Sequence, residues 1–438
     1  MAQSNPAEAV KNLFQTPELK SKIGFTLLAL VVYRLGAHIT SPGIDVRALI
    51  DFFQNQSGGL AGLYDLFTGG GLSRATVFAL GIVPYISASI VFQIMAAVVP
   101  SFEKMQREEE GRNKITQYTR YMTVAIAVLQ AWGYALFTES LQGAVIHPGL
   151  AFRLQMVLFL TTGAMFVMWL GEQITERGVG NGASLLIFFS IVERIWPGIG
   201  DTFRYVQTGA TALPKLLVLG VVMVLVVAGT VAITVAARRV PIQIPQRTMA
   251  RGRQRESAKN FIPLRMNAAN VMPIIFAQTV IVVPGTLAQF SKNVRLQEIA
   301  EYFQPGTVWY YLLMAVLILF FTYFYTSIIF NPIDIAENLK KQGGFIPGVK
   351  PGARTAEYID RVVTRITLPG ALFLTAIALL PIFISVAINV PFRFGGTSLL
   401  IVVGVGLDTV QVVQQQLLIR KYDGFMKKGA RVRFRDRA

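Results

Sequence analysis

The sequence of 438 residues contains no cysteine and only two histidines, His38 and His147. Without cysteine there is no disulfide, no thiol nucleophile and no thiolate metal site. Neither histidine belongs to an HExxH pattern, and no GxxxxGK[ST] pattern occurs, so zinc-protease and P-loop chemistry are not expected. We therefore expect no enzyme, no catalytic residue, no bound metal and no cofactor, and any energy must come from a partner.

Charged residues are also scarce where the chain is most apolar. The composition is 53% hydrophobic, with a mean hydropathy of +0.51. Apart from Glu193, Arg194 and Lys215 at the ends of their runs, only Arg34 and Asp408 lie inside hydrophobic runs, where a proton- or sodium-coupled carrier ordinarily has more charges. Arg34 stands near the end of its run and is expected to extend toward the interface. Asp408 is either a satisfied packing partner or a functional acid.

Ten apolar runs are long enough, or nearly so, to cross a bilayer, which needs roughly 20 apolar residues. They predict an all-α polytopic membrane protein with ten transmembrane helices. The fifth run is the weakest, and Trp196 and Pro197 after it predict an interface anchor and a stop. The runs are 23–39, 75–99, 121–137, 154–171, 181–196, 213–237, 271–290, 308–330, 366–390 and 396–419.

Ten spans divide into five plus five, which predicts a first half at 23–196 and a second at 214–419 joined by an external loop at 197–213. An odd number of spans in each half places the halves in opposite orientations, as in many transport proteins. We see no sequence repeat, so the inverted arrangement follows from the count alone.

The basic residues indicate which side each loop faces. If both termini and the even-numbered loops lie in the cytosol, 31 of the 41 Lys and Arg residues are on that side and nine are on the other. The positive-inside rule then predicts a cytosolic segment at 1–22, a basic cytosolic tail at 420–438 and both termini inside.

The second run is preceded by a short apolar piece, 63–67, which is followed by three consecutive glycines. This piece is far too short to cross a bilayer. It is either a re-entrant segment, since non-helical backbone at membrane depth survives only beside protein or in a water-filled cavity, or an ordinary external loop with a helical turn. Glycines at this point supply a hinge.

Two of the predicted cytosolic loops, 238–265 and 331–365, are longer than a connection needs, and long ordered loops are usually functional. The first has a β-like stretch at 240–247, and the Gly and Pro residues of the second predict a shaped turn. We expect them to dock a partly acidic cytosolic partner, with anionic lipid or simple solvation as alternatives. The candidate docking residues are Arg247, Arg251, Arg255, Lys350 and Arg354.

Ile82, Ile86 and Ile90 in the second run are spaced four residues apart and share one helix face. Periodicity alone does not tell whether that face contacts lipid or protein.

Several long stretches are similar to the SecY family, the pore subunits of the Sec protein-translocation channel. They are LSRATVFALGIVPYISASIVFQ at 72–93, LGEQITERGVGNGASLLIF at 170–188, FIPLRMNAANVMPIIFA at 261–277, NPIDIAENLKKQGGFIPGVKPG at 331–352 and FGGTSLLIVVGVGLDTVQ at 394–411. The similarity runs in order from about residue 17 to about residue 420.

The resemblance implies an hourglass pore between the two inverted halves, narrowed by a ring of aliphatic side chains and closed by a small plug. It also implies a side opening to lipid between the second and seventh spans. The implied ring is Ile82, Ile86, Ile187, Ile275 and Ile401. The implied plug is about 60–74, with Leu63, Tyr64, Phe67, Gly69, Gly70 and Gly71. The implied lateral gate is Ser87, Gln93, Asn270 and Gln278.

The resemblance further implies a channel in the plasma membrane that passes unfolded polypeptides and releases transmembrane segments into lipid. Its partners would be signal peptides and nascent polypeptides, the small membrane subunits SecE and SecG, the SecA ATPase and the translating ribosome, with no nucleic-acid contact beyond ribosomal RNA. The chain has Lys350 where the family usually has Arg, so a bidentate partner contact there is not expected. The alternative is a secondary transporter with a five-plus-five inverted repeat.

Overall fold

The computed structural model describes residues 17–55, 59–207, 213–243, 260–290, 295, 298, 301–388 and 396–435. Nearly all of them are helical. In chain order the elements are α1 Pro17–Gly36, α2 Val46–Asn55, α3 Leu60–Phe67, α4 Val83–Val98, α5 Pro100–Arg107, α6 Glu109–Ser140, α7 Leu150–Arg177, α8 Gly182–Gln207, α9 Leu213–Val235, β1 Ala237–Ile242, β2 Asn260–Arg265, α10 Met272–Phe290, α11 Val308–Ile329, α12 Pro332–Lys341, α13 Ala353–Ile388 and α14 Gly396–Arg435.

Each of the ten predicted spans falls on a helix, namely α1, α4, α6 to α11, α13 and α14. Within the described ranges, six helices are long and apolar enough to cross a membrane by length and composition, and a seventh if α4 and α5 count as one span. The chain bends by 104° between α4 and α5. Pro100 lies at this bend and disfavours helical backbone in the residue before it. The fold class of a polytopic helical membrane protein is therefore confirmed.

Two span boundaries differ from the prediction. The second span was expected from residue 75, but regular helix begins only at Val83. The fifth was expected to stop at Trp196 and Pro197, whereas α8 continues to Gln207 with Pro197 inside it. A proline removes one backbone hydrogen bond and favours a kink, but flanking turns can carry a helix past it. Trp196 is 75% exposed, as an interface anchor would be.

The chain divides into two compact units. The first takes in the residues up to Ile199, Val282–Glu301 and the chain from Val405 onward; the second takes in Gly200–Ile281 and Tyr302–Gly404. The inverted five-helix halves with boundaries at 196 and 214 stay a prediction.

In the first unit, α6 packs against α4, α5 and α7, and α7 also packs against α1. Two arginine–carboxylate pairs join α6 to α7. Arg120 donates two hydrogen bonds to Glu172, at 3.0 and 2.8 Å. At the opposite end of α6, Arg153 lies 2.7 Å from a carboxylate oxygen of Glu139.

In the second unit, α13 packs against α9, α11 and α12. The predicted β-like stretch begins three residues earlier than expected, as strand β1, which pairs antiparallel with β2 from Ala237 opposite Arg265 to Ile242 opposite Asn260. The remainder of the stretch, beyond Gln243, lies outside the described residues. The shaped turn predicted in the second long loop is confirmed at 342–352, where Gly343 and Gly348 have φ angles of +69° and +81°.

The two long loops, predicted as separate features, share one hydrophobic core. Gln243 and Phe345 exchange two backbone hydrogen bonds of 2.9 Å. We call β1, β2, α12, the turn 342–352 and the first four turns of α13 the hairpin module. Its buried core consists of Val240, Leu264, Leu339, Ile346, Ile359, Val362 and Ile366.

Candidate functional site

The stretch 60–82, which precedes α4, is buried in the first unit even though most of it is not regular helix. In α3, the side chains of Leu60, Ala61 and Tyr64 are at most 3% exposed. Irregular backbone follows α3 as far as Ile82. An ordinary external loop would be solvated, so the burial favours the re-entrant interpretation.

The glycines after α3 are required by the local backbone. Gly69 and Gly70 have φ angles of +64° and +85°, which glycine adopts without steric cost. Gly71 needs space instead, because a Cβ there would lie 2.9 Å from Thr76 Oγ1. The three predicted hinge residues therefore form a tight turn directly after α3.

Two backbone carbonyls of this stretch accept hydrogen bonds from buried tyrosines. Tyr134 on α6 donates a 2.6 Å hydrogen bond to the carbonyl of Leu72. Tyr64 on α3 donates to the carbonyl of Leu80 at 3.1 Å and lies 3.2 Å from Gln130 Oε1. Buried carbonyls without a ladder partner need such donors, so these tyrosines stabilise a non-helical path inside the bundle.

Small residues let neighbouring helices approach the stretch closely. Phe78 stacks between Tyr33 on α1 and Phe166 on α7, with ring centroids 5.6 and 5.8 Å apart. A Cβ at Gly36 would overlap the ring of Phe78, and a Cβ at Gly163 on α7 would overlap the carbonyl oxygen of Val77. These glycines define the path of residues 77 and 78.

A pair of charged residues on α8 holds two ion pairs that the sequence interpretation missed. Arg194 pairs with Asp65 of α3, and Glu193 pairs with Arg34 of α1. The expectation that Arg34 simply extends toward the interface is therefore incomplete, because it is paired with the half-buried Glu193. The sequence contained a signal for these ion pairs, because each of the four charged residues interrupts or closes an apolar run.

All five predicted ring residues are buried. Ile82, Ile86 and Ile187 are 3%, 5% and 1% exposed in the first unit, and Ile275 and Ile401 are 1% and 0% exposed in the second. Ile90 is also buried, so the isoleucine stripe, formed by Ile86 and Ile90 on α4 and by Ile82 just before it, contacts protein and does not face lipid. The side chain of Ile82 reaches toward α7, where its Cδ1 lies 3.1 Å from the Cβ position of Gly171. The assembly of the five predicted isoleucines into a ring stays a prediction.

The predicted gate residues differ in their hydrogen bonding. Ser87 donates to the carbonyl of Val83 at 3.0 Å, and Gln93 donates to Ser89 at 2.8 Å, so both form bonds within α4. Asn270 lies just before α10 with a φ of +53°, and its carbonyl accepts a 2.9 Å bond from Asn267. Among the described residues, the buried carboxamide oxygens of Asn267, Asn270 and Gln278 accept no hydrogen bond.

The predicted docking residues are only partly described. Arg247, Arg251 and Arg255 lie outside the described residues. Lys350 and Arg354 are exposed on the hairpin module, and the Arg354 side chain is 78% exposed, 4.0 Å from Glu357. Thr355 donates a 2.9 Å bond to the carbonyl of Lys350. The turn is thus fixed by its backbone while both basic side chains extend into solvent.

No group of three or more histidine, cysteine or acidic side chains able to hold a metal occurs in the described part of the chain. The geometry instead offers a buried, non-helical segment beside a stripe of isoleucines. Such an arrangement can block or line a path, and it presents no set of groups for general acid or base chemistry.

The comparisons with known proteins agree with the motifs. The SecY family model matches residues 76–410. The protein translocase subunit SecY of Aquifex aeolicus is 45% identical over 430 residues, which cover 96% of this chain and 100% of that protein. The protein translocase subunit SecY of Escherichia coli K12 is 44% identical over 419 residues, covering 94% of each.

Solved structures share the fold at lower identity. One, described as a protein conducting channel, has a TM-score of 0.67 at 15% identity and covers 90% of this chain and 92% of its own. Sec61 from a canine ribosome–channel complex has a TM-score of 0.63 at 14% identity, with the same coverage. Near-full-length similarity to curated relatives at this identity, together with the family match, establishes that the chain belongs to the SecY family.

Proposed function

We propose that this chain is the central subunit of a protein-conducting channel that passes unfolded secretory polypeptides across the plasma membrane and releases transmembrane segments sideways into it. The observation that carries the proposal is the buried, broken stretch 60–82 in a chain similar over nearly its full length to translocase subunits. A secondary transporter would need substrate-binding polar groups at its broken span. Here the five candidate ring residues are all isoleucine.

The buried isoleucines suit a constriction that must pass any sequence. A ring of Ile82, Ile86, Ile187, Ile275 and Ile401 offers an ion no replacement for its hydration shell, so a narrow aliphatic opening closes by losing water. The same groups make no hydrogen bond to a passing side chain. The plug in this proposal is the segment 60–74, which includes Leu63, Tyr64, Phe67 and the glycine turn at 69–71.

The side opening in this proposal lies between the second and seventh spans, at Ser87, Gln93, Asn270 and Gln278. Hydrogen bonds between membrane helices contribute about 0.6 kcal/mol on average. A seam closed by a few such bonds opens when an apolar signal helix supplies its own burial. The unsatisfied oxygens of Asn270 and Gln278 give this side of the seam acceptors for such bonds.

The energy source and the topology are part of the same proposal. Both termini and the hairpin module lie in the cytosol, where Lys350 and Arg354, with Arg247, Arg251 and Arg255, contact the SecA ATPase or the translating ribosome. The support is the distribution of basic residues and the solved neighbours, which include a canine ribosome–channel complex and a yeast Ssh1 complex bound to the ribosome. SecE and SecG are the expected membrane subunits.

Site-specific photo-crosslinking tests the proposal. A crosslinking amino acid is placed at Ile86 or at Ile275 in the reconstituted complex, and a secretory chain is stalled during transport. We expect adducts between the stalled chain and both positions. The matched control is Leu158 on α7, which is 71% exposed. If Leu158 reacts as strongly as the isoleucines, or if neither isoleucine reacts, the passenger does not pass this site.

A further inference from the structure

We propose that the ion pair between Asp65 and Arg194 fastens segment 60–74 in its buried position, and so sets how strong a signal sequence must be before the channel opens. The inference rests on the proposed function. Asp65 and Arg194 are positioning residues in it, since neither needs to touch the passenger.

Asp65 is an unexpected residue in α3. The helix has the sequence LAGLYDLF, with one charged residue, and Asp65 is 3% exposed. A carboxylate removed from water is strongly destabilising unless it is paired and hydrogen-bonded. An aliphatic residue at this position would fill the same space without that penalty, so the charge calls for an explanation in the contacts it makes.

The two carboxylate oxygens of Asp65 have different kinds of partner. Oδ1 accepts a 2.8 Å hydrogen bond from the backbone N–H of Ser73, which belongs to the same segment. Oδ2 pairs with the guanidinium of Arg194 on α8. The same guanidinium faces Gly70, where a Cβ would lie 3.3 Å from Nη2. Arg194 therefore pairs with the helix and lies against the turn that follows it.

Only the second of these bonds must break if the segment leaves its place. The Ser73 bond is internal and can move with the segment. The contacts to α6 through Tyr64 and Tyr134 are neutral hydrogen bonds. Among the described residues, Asp65–Arg194 is the one ion pair that connects segment 60–74 to another helix. Its strength therefore depends more on the dielectric constant of its surroundings than the strength of the neutral hydrogen bonds does.

This dependence suits a segment that is held firmly and then released. The attraction between two charges falls about fourfold when the effective dielectric constant changes from that of a protein surface to that of water. While the segment is buried the pair is strong, with Asp65 and Arg194 side chains only 5% and 25% exposed. Once water enters, both charges are hydrated, so the ion pair adds little resistance to further movement of segment 60–74.

The experiment compares Asp65→Asn, Arg194→Gln and the double variant in the reconstituted channel complex. Asp65→Asn keeps an oxygen that can accept the Ser73 bond and removes the charge. The readout is the transport of a substrate with a weakened signal sequence, divided by that of the same substrate with an intact signal. We expect each single variant to raise this ratio about five- to tenfold, as for loss of a partly buried pair. The double variant should add nothing, and Arg194→Lys should keep most of the restriction.

The chain offers a closely matched control in Arg153 and Glu139. Their side chains are 30% and 6% exposed, and Glu139 Oε1 also accepts a backbone bond, from Gly149 at 3.0 Å. The bonds of Glu139 to Arg153 and to Gly149 lie outside segment 60–74. Arg153→Gln should therefore leave the signal ratio unchanged.

A second readout separates release of the segment from general loosening. Because the natural chain lacks cysteine, Ala61→Cys places a single thiol on α3 at a position that is 1% exposed. Its maleimide labelling in proteoliposomes should become about five- to tenfold faster with Asp65→Asn or Arg194→Gln. It should stay slow with Arg153→Gln.

The outcomes distinguish this inference from the proposed function. If the unmodified channel transports the intact-signal substrate, but neither the signal ratio nor the labelling rate changes in the Asp65 and Arg194 variants, the ion pair is only structural and the inference is wrong. If Arg153→Gln has the same effect, the inference is also wrong. If the unmodified channel transports no substrate at all, the proposed function itself fails.

Discussion

Two regions of the chain depart from regular membrane-spanning helix, and they are stabilised in opposite ways. The stretch 60–82 has an irregular backbone: two of its carbonyls accept hydrogen bonds from tyrosines, the side chain of Asp65 pairs with an arginine, and glycines lie where helices approach. The hairpin module has regular strands, a helix and a turn around seven buried aliphatic side chains. Loss of apolar volume should therefore damage the module most, whereas the stretch should be most sensitive to added atoms and lost hydrogen bonds.

Ile359→Ala should have the largest effect, because Ile359 is fully buried in the core of the hairpin module. Truncating a buried isoleucine to alanine typically costs about 2–5 kcal/mol. We expect the turn 342–352 to be cut much faster by protease in this variant. The matched control is Ile333→Ala on α12, since Ile333 is 61% exposed. Equal cleavage of the two variants would show that the two loops do not depend on a shared core.

Gly163→Ala tests the opposite kind of sensitivity in the stretch 60–82. The new methyl group meets the carbonyl oxygen of Val77, which is backbone and has no rotamer to change. Overpacking of this kind costs about 1–3 kcal/mol. We expect a lower thermal unfolding midpoint and faster labelling of Ala61→Cys.

Gly24→Ala on α1 is the control for Gly163→Ala. A Cβ at Gly24 meets nothing within 4 Å, so alanine there should be neutral or slightly stabilising. If Gly163→Ala unfolds at the same temperature as Gly24→Ala, α7 can shift, and the close approach is not what fixes the path of the stretch.

The contrast also explains which features the sequence could predict. Hydropathy detects segments that are apolar and long enough to leave water, and all ten predicted spans fall on helices. It does not detect backbone conformation, which is why residues 75–82 were assigned to a helix. Their carbonyl and amide groups bond elsewhere: the N–H of Ser41 donates to the carbonyl of Ala75, and the N–H of Val77 to the carbonyl of Ile39, both at 2.8 Å. Those partners are set by tertiary structure.

For the same reason, the sequence did not show which charged residues form pairs or that the two long loops share a core. Asp65 and Arg194 are 129 residues apart, and nothing local in either segment specifies the other. In the hairpin module, Leu339 and Ile346 come from an apparently polar loop, where single apolar residues carry no periodic signal. Motif similarity identified the candidate ring, plug and gate residues, but it could not supply the contacts that are particular to this chain.

Tyr134→Phe should have the smallest of these effects and isolates one hydrogen bond of the stretch. The variant keeps the buried ring and removes the 2.6 Å bond to the carbonyl of Leu72, which is then left without this donor. We expect a loss of about 1 kcal/mol, measured as a lower unfolding midpoint together with faster labelling of Ala61→Cys. Tyr118→Phe on the same helix is the control, since Tyr118 is 45% exposed. If the two variants behave alike, the carbonyl of Leu72 finds another donor, and the stretch depends on packing in the same way as the hairpin module does.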